Sequence, residues 1–139
     1  MTALETAKKL LSDDSTLTCV ICREGEIFKS ALRGVRPLLE LLDSGENLKG
    51  AAAADKVVGK GAAFLYVLLG VREVYATVLS ESALAVLSQN GIKAEFGALV
   101  PAIRNRAGDG FCPIETAVRD ITCPKDALKV IRETLKKLK

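Results

Sequence analysis

Two short segments carry residue types that could do chemistry. The first is Asp55-Lys56-Val57-Val58-Gly59-Lys60-Gly61. Read as the opening of a helix, it exposes backbone N–H groups and partial positive charge, which suit an anion. Gly59 and Gly61 let a ligand approach the backbone, and Lys60 adds a charge. It is not a Walker A loop, because Ala54 stands where the first glycine belongs and Gly61 where a Ser or Thr belongs. The plainer reading makes Asp55 a helix cap and the glycines sites of close packing. The second segment is Asn105-Arg106-Ala107-Gly108-Asp109-Gly110-Phe111-Cys112-Pro113-Ile114-Glu115. Gly108 and Gly110 permit a backbone nest, and Arg106 can fork onto a carboxylate or phosphate, with Asn105 beside it. Cys112 precedes Pro113, the place of a helix N-cap, where the dipole favours thiolate. Glu115 falls at the third position of that helix and either caps backbone or serves as a base. Cys123-Pro124-Lys125-Asp126 repeats the Cys-Pro-x-acid pattern without glycines or Arg, so the pattern is first a helix-start device. Its surroundings single out Cys112 as the candidate nucleophile and Glu115 as its base.

Other chemistries are excluded. The chain has no histidine, so no imidazole acts as base, acid or metal ligand. Cys19 and Cys22 form a C-x-x-C, but in a β-branched run, Thr16–Arg23, that reads as a strand. An odd step along a strand turns the two side chains to opposite faces. At 3.3 Å per residue their Cα atoms stand ~10 Å apart, beyond the ~7 Å a disulfide spans. They read as small buried thiols, and neither a metal nor a cofactor is expected. With 139 residues, 49% of them apolar, the chain makes one domain with a core that needs no staple. Residues 1–14 form its N-terminal helix and 15–139 its core. Aromatics are 4% and Trp is absent, so there is no base-stacking platform. The net charge of +3 is mild, and the basic cluster from Lys125 to Lys139 surrounds an apolar helical stripe as a solvated face does. Nucleic acid is not an expected partner. The first residues lack a secretory pattern and the longest apolar stretch, Gly61–Val71, is eleven residues, so a cytoplasmic protein away from membranes is expected.

Periodicity and punctuation supply the elements. A helix over Thr2–Ser12 opens on a Thr2/Glu5 capping box. Strands Thr16–Arg23 and Glu26–Ser30 flank Glu24-Gly25, a tight hairpin turn. A helix over Val35–Ser44, with Pro37 in its first turn, buries Leu38, Leu41 and Leu42 and stops at Gly45. Lys49–Ala54 reads as a small-residue approach to a central helix over Asp55–Leu69, ended by Gly70. Strand Glu73–Leu79 is apolar on both faces, helix Ser80–Asn90 has Ser80 as cap, and strand Ile92–Phe96 is half-exposed. After Arg104–Phe111 come a short helix, Pro113–Asp120, and a last helix from Pro124. Alternation after the hairpin implies right-handed crossovers and parallel pairing. The result is a three-layer α/β/α sandwich on a mixed sheet.

A hairpin followed by helix–strand–helix–strand resembles the cytidine-deaminase-like fold, most closely over Val74–Ala83 and Asn90-Gly91-Ile92. The resemblance puts the zinc deaminases' two cysteines on Ser80 and Ala83, and their His-Ala-Glu or Cys-Ala-Glu near Gly59-Lys60-Gly61. The zinc ligands and proton-shuttling Glu are missing, and with them the chemistry of deamination. The segments Asp55–Ala63 and Asn105–Glu115 further resemble a bacterial family of unknown function that has this fold and lacks the zinc ligands. That family usually carries Ala at Gly61 and Thr or a similar residue at Asp109, both small departures. The resemblance implies a fold and brings no activity.

Two functions follow. In the first, a pocket between the start at Asp55–Gly61 and the Cys112 loop binds a small anionic, nucleotide-like ligand, with or without chemistry at Cys112. Its residues are Asp55, Gly59, Lys60, Ser80, Asn105, Arg106, Gly108 and Gly110, with Asp55, Gly59 and Lys60 in the same concavity as Ser80 and Glu81. The alternative is a non-catalytic interaction or regulatory module, acting through a homo-oligomer or another partner. Whether there is catalysis is left open.

Overall fold

The structure, a computed structural model, describes residues 2–32, 34–104 and 112–137. Helix α1, Ala3–Asp13, opens on the Thr2/Glu5 capping box, with both reciprocal bonds made. Strands β1, Cys19–Arg23, and β2, Glu26–Ser30, pair antiparallel. Glu24 and Gly25 between them have φ of 45° and 84°. Two consecutive left-handed residues match the twist of a tight hairpin, and the glycine makes the second one inexpensive. Helix α2, Arg36–Ser44, ends at Gly45 in the left-handed conformation. It buries Leu38, whereas Leu41 and Leu42 are only half-buried.

Strand β3, Ala52–Val58, is the main departure from expectation. The sequence reading places an approach segment and then a helix start here. In the structure Ala52, Ala53 and Ala54 are fully buried at the centre of the sheet. Alanine is a good helix former, but strand preference depends on packing more than on backbone. Small side chains in the middle strand let helices sit close on both faces. The central helix α3 therefore begins at Lys60 and runs to Leu69, with Gly59 at its N-cap. Strand β4, Glu73–Ser80, helix α4, Glu81–Gln89, and strand β5, Lys93–Val100, follow, β5 running further than expected. Helices α5, Pro113–Val118, and α6, Pro124–Lys137, complete the described elements.

The sheet order is β2-β1-β3-β4-β5, with β1 antiparallel to both neighbours and β3, β4 and β5 parallel. Helix α1 covers β1 and β3 on one face, over Val20, Cys22 and Ala54. On the other face α3 touches α2, α4 and α6 over the larger core. The fold is thus an α/β/α arrangement on a mixed sheet. Val58 pairs with Leu79 in parallel, so α3 and α4 open side by side at the carboxyl edge of β3 and β4. Among the described residues no helix is long and apolar enough to cross a membrane.

Candidate functional site

At that edge lies a cavity of about 270 Å³, walled by Val35, Val57, Ala62, Ile103 and Ile114, with Thr18, Asp55, Gly59, Cys112 and Glu115 supplying polar groups or backbone. In open parallel sheets this crevice, beyond the strands' carboxyl ends, is where ligands sit.

Asp55 is not a helix cap. It lies inside β3, opposite Cys19 of β1, and is 6% exposed. Tyr66 of α3 donates its hydroxyl proton to Asp55 Oδ2 at 2.7 Å. The Cys19 sulfur stands 3.4 Å from the same hydroxyl oxygen. The other carboxyl oxygen, Oδ1, meets a long bond from the Val57 N–H at 3.4 Å, and the Lys56 backbone N–H also acts on the carboxyl. Burial pushes the Asp55 carboxyl up to about 7, against the opposing pull of the Tyr66 bond. Burial and the nearby Asp55 charge hold Tyr66 and Cys19 well above their ordinary values, so both stay protonated. The reading of the residues missed Tyr66. Its signal was a lone polar tip in an otherwise apolar buried helix, since a buried tyrosine hydroxyl needs a partner.

Glu115 is a correction of larger consequence. Its Oε1 accepts the Lys60 N–H at 2.7 Å and its Oε2 accepts the Gly61 N–H at 3.0 Å. The carboxylate of α5 thus caps α3, and the helix start read as an anion site is filled by the chain itself. The two glycines follow from this joint. A Cβ added to Gly59 would stand 2.1 Å from Glu115 Oε1, and one added to Gly61 would stand 2.6 Å from Ile114 Cγ2. Gly59-Lys60-Gly61 and Ile114-Glu115 therefore pack directly on each other, beside the cavity that both segments line.

Lys60 leaves the Asp55 cavity. Its ammonium donates to Arg119 O at 2.7 Å and lies 5.7 Å from the Phe64 ring centre. It lines a neighbouring cavity with Ser82. Ser80 caps α4 as expected, but it is fully buried, with its Oγ on the Ala83 N–H and near Ser82 Oγ. Ser82, not Ser80, presents this turn to a cavity. The concavity expected to join Lys60, Ser80 and Glu81 to Asp55 is thus two cavities, although both helices do start at the same sheet edge. Cys112 takes the N-cap position of α5, without a side-chain capping bond, and lines the Asp55 cavity. Asn105, Arg106, Gly108 and Gly110 lie outside the described residues.

Cys19 and Cys22 do face apart, one in the larger core and one under α1. Burial raises both thiols. Alkylation of the native protein followed by mass spectrometry is expected to leave them unmodified while Cys112, half-buried, and Cys123, exposed, react. Labelling of Cys22 at the rate of Cys123 would mean that α1 does not cover its face of the sheet. Among the described residues no three His, Cys, Asp or Glu side chains gather as metal ligands.

The strand order and the paired helix starts define an α/β protein of cytidine-deaminase-like fold. A diaminohydroxyphosphoribosylaminopyrimidine deaminase/5-amino-6-(5-phosphoribosylamino)uracil reductase from Thermotoga maritima matches 68% of this chain and 36% of its own, at 15% identity and a TM-score of 0.50. At that identity the likeness is one of fold. The dCMP deaminase of cyanophage S-TIM5 matches 68% of this chain and 93% of its own, at 15% identity and a TM-score of 0.48.

The chain belongs to the DUF1893 family, a domain of unknown function, whose profile matches residues 6–135. The crystal structure of a DUF1893 family protein from Thermotoga maritima is similar over 97% of this chain and 89% of its own, at 28% identity and a TM-score of 0.84. No curated protein matches the chain.

Proposed function

We propose that the protein binds a small, largely apolar ring compound in the Asp55 cavity, through a ligand N–H or O–H group donated to the Asp55 carboxyl. The observation that carries this reading is the carboxyl itself. A buried polar group needs its hydrogen bonds, and beyond the Tyr66 hydroxyl the Asp55 carboxyl meets just the neighbouring backbone of its own strand, Val57 at a long 3.4 Å and Lys56. A donor-bearing ligand completes it. The walls are mainly aliphatic and the volume, about 270 Å³, suits a single ring system. The expected anion at the α3 start is not part of this reading, because Glu115 already holds those N–H groups. Binding rather than turnover is supported. Cys112 contributes to the cavity, but Glu115, its expected base, is committed to α3.

The test is calorimetry and thermal shift with a panel of free bases and nucleosides. At pH 8 at least one compound should bind, and Asp55→Asn should weaken it tenfold or more. For a ligand that donates to the ionised carboxylate, affinity should fall as pH drops below about 7, where Asp55 gains its proton. A silent panel, or a compound indifferent to Asp55→Asn, overturns the reading. The second reading, an interaction module, draws on edge strand β5, where Phe96 and Leu99 are each 40% exposed. It is favoured if the panel is silent and the protein self-associates in a manner lost on Phe96→Asp.

A further inference from the structure

We infer that the cavity on the other side of Glu115 receives a phosphate group carried by the same ligand. This rests on the binding reading above and names the ligand class, a phosphorylated ring compound. The second cavity has about 300 Å³ and is lined by Lys60, Ser82, Thr116 and Arg119. Ile103 and Glu115 line both cavities and form the wall between them. A molecule lying over that wall has one end in each.

The two chambers differ in chemistry. The first sets the Asp55 carboxyl among mainly aliphatic residues, with Thr18, Lys56 and Glu115 also in its lining, and the second is lined by residues that carry two cations and two hydroxyls. The Lys60 ammonium uses one of its three N–H groups on Arg119 O. That bond and the contact with the Phe64 ring hold the ammonium at the cavity and leave two donors. The Arg119 guanidinium offers a planar fork that matches phosphate oxygens, and among the described residues neither it nor Lys60 belongs to an ion pair. Ser82 adds a donor, because Ser80 Oγ can give its own proton to Ser82 Oγ while accepting the Ala83 N–H. The Ser82 hydroxyl proton is then available. Ser82 also stands in the first turn of α4, whose backbone N–H groups lack intrahelical partners. Thr116 is already a donor, to Cys112 O at 3.3 Å. The carboxylate in the lining, Glu115, has both oxygens on the α3 backbone, and two cations outnumber it. The neighbouring helix start, α3, is closed to an anion by Glu115, whereas at α4 the Ser80 side chain holds the Ala83 N–H alone. A dianionic phosphoryl group suits this set better than a neutral end does.

The full chain would be titrated with inorganic phosphate at pH 8 and constant ionic strength, following backbone amides by NMR. Saturable shifts are expected at Lys60, Ser82, Thr116 and Arg119, with affinity at least fivefold weaker in Arg119→Gln. Arg119 is exposed, so this variant should fold as the parent does. A second arm compares nucleosides with their monophosphates. The monophosphate should bind at least tenfold tighter than its nucleoside, and Arg119→Gln should bring the two within threefold. Shifts that do not saturate, or that persist unchanged in Arg119→Gln, overturn the inference. So do nucleoside and monophosphate of equal affinity, which would leave the Asp55 reading standing. Phosphate binding at these residues with a silent panel of free bases and nucleosides supports the phosphate site and overturns the Asp55 reading alone.

Discussion

Asp55→Asn is expected to raise the unfolding temperature at pH 8 by roughly 5–8 °C and to change it little at pH 5. The reason is a carboxyl whose folded value, about 7, lies well above its ordinary value of 3.8. The folded chain therefore keeps a proton that the unfolded chain releases. Between pH 4 and 7 the folded state binds more protons, so stability falls as pH rises through that window and stays reduced above it. The full span corresponds to about 4 kcal/mol at most, and the part between pH 5 and 8 to about 2–3 kcal/mol. Asn keeps an acceptor for the Tyr66 hydroxyl and removes the charge, but adds N–H groups in a buried place. A net gain of about 2 kcal/mol at pH 8 is expected. Urea unfolding from pH 5 to 8 measures it. A flat wild-type profile, or a variant less stable than wild type at pH 8, would show that Asp55 is not held as described. The prediction bears on function. A residue whose neutralisation stabilises the fold but abolishes binding is retained for the ligand and not for the core.

Gly59→Ala should destabilise the protein by about 3 kcal/mol. The new Cβ would stand 2.1 Å from Glu115 Oε1, so the carboxylate must withdraw. Withdrawal breaks the bonds from the Lys60 and Gly61 N–H groups and leaves the start of α3 uncapped. Hydrogen bonds to a charged group contribute about 1.5–3 kcal/mol each, and part of that returns through water. Because the loss acts through one contact, it should not add to the loss in Glu115→Ala. The double variant should be little worse than the worse single one, a coupling of about 1–2 kcal/mol. Chemical denaturation of the four proteins in the cycle decides this. Strict additivity would mean that Gly59 matters for its own backbone and not for the approach of Glu115.

Much of the local architecture was readable from the residues. The capping box at Thr2 and Glu5, the left-handed turn at Glu24-Gly25, the stops at Gly45 and Gly70 and the Ser80 cap all act within a few residues. Such signals survive whatever the rest of the chain does. The opposite faces of Cys19 and Cys22 were equally readable, because a strand alternates by its own geometry.

Strand β3 was not readable. A strand covered on both faces shows no alternation, and four consecutive alanines carry a helix former's preference. Only the arrival of α1 on one face and α3 on the other makes small side chains the right filling for the centre of the sheet. A helix start at Asp55 offers its carboxyl either as a cap or to a ligand. Inside β3 it is buried and joined to Tyr66, eleven residues on, across the strand-to-helix turn. The sequence also showed both halves of the second joint, Gly59-Lys60-Gly61 and Cys112-Pro113-Ile114-Glu115, without showing that they meet. They are more than fifty residues apart, and their contact depends on how α5 is set beside α3. A glycine that needs positive φ announces a turn from its neighbours alone. Gly59 has an extended backbone, and its reason lies in a carboxylate from another helix, which only the tertiary structure brings there.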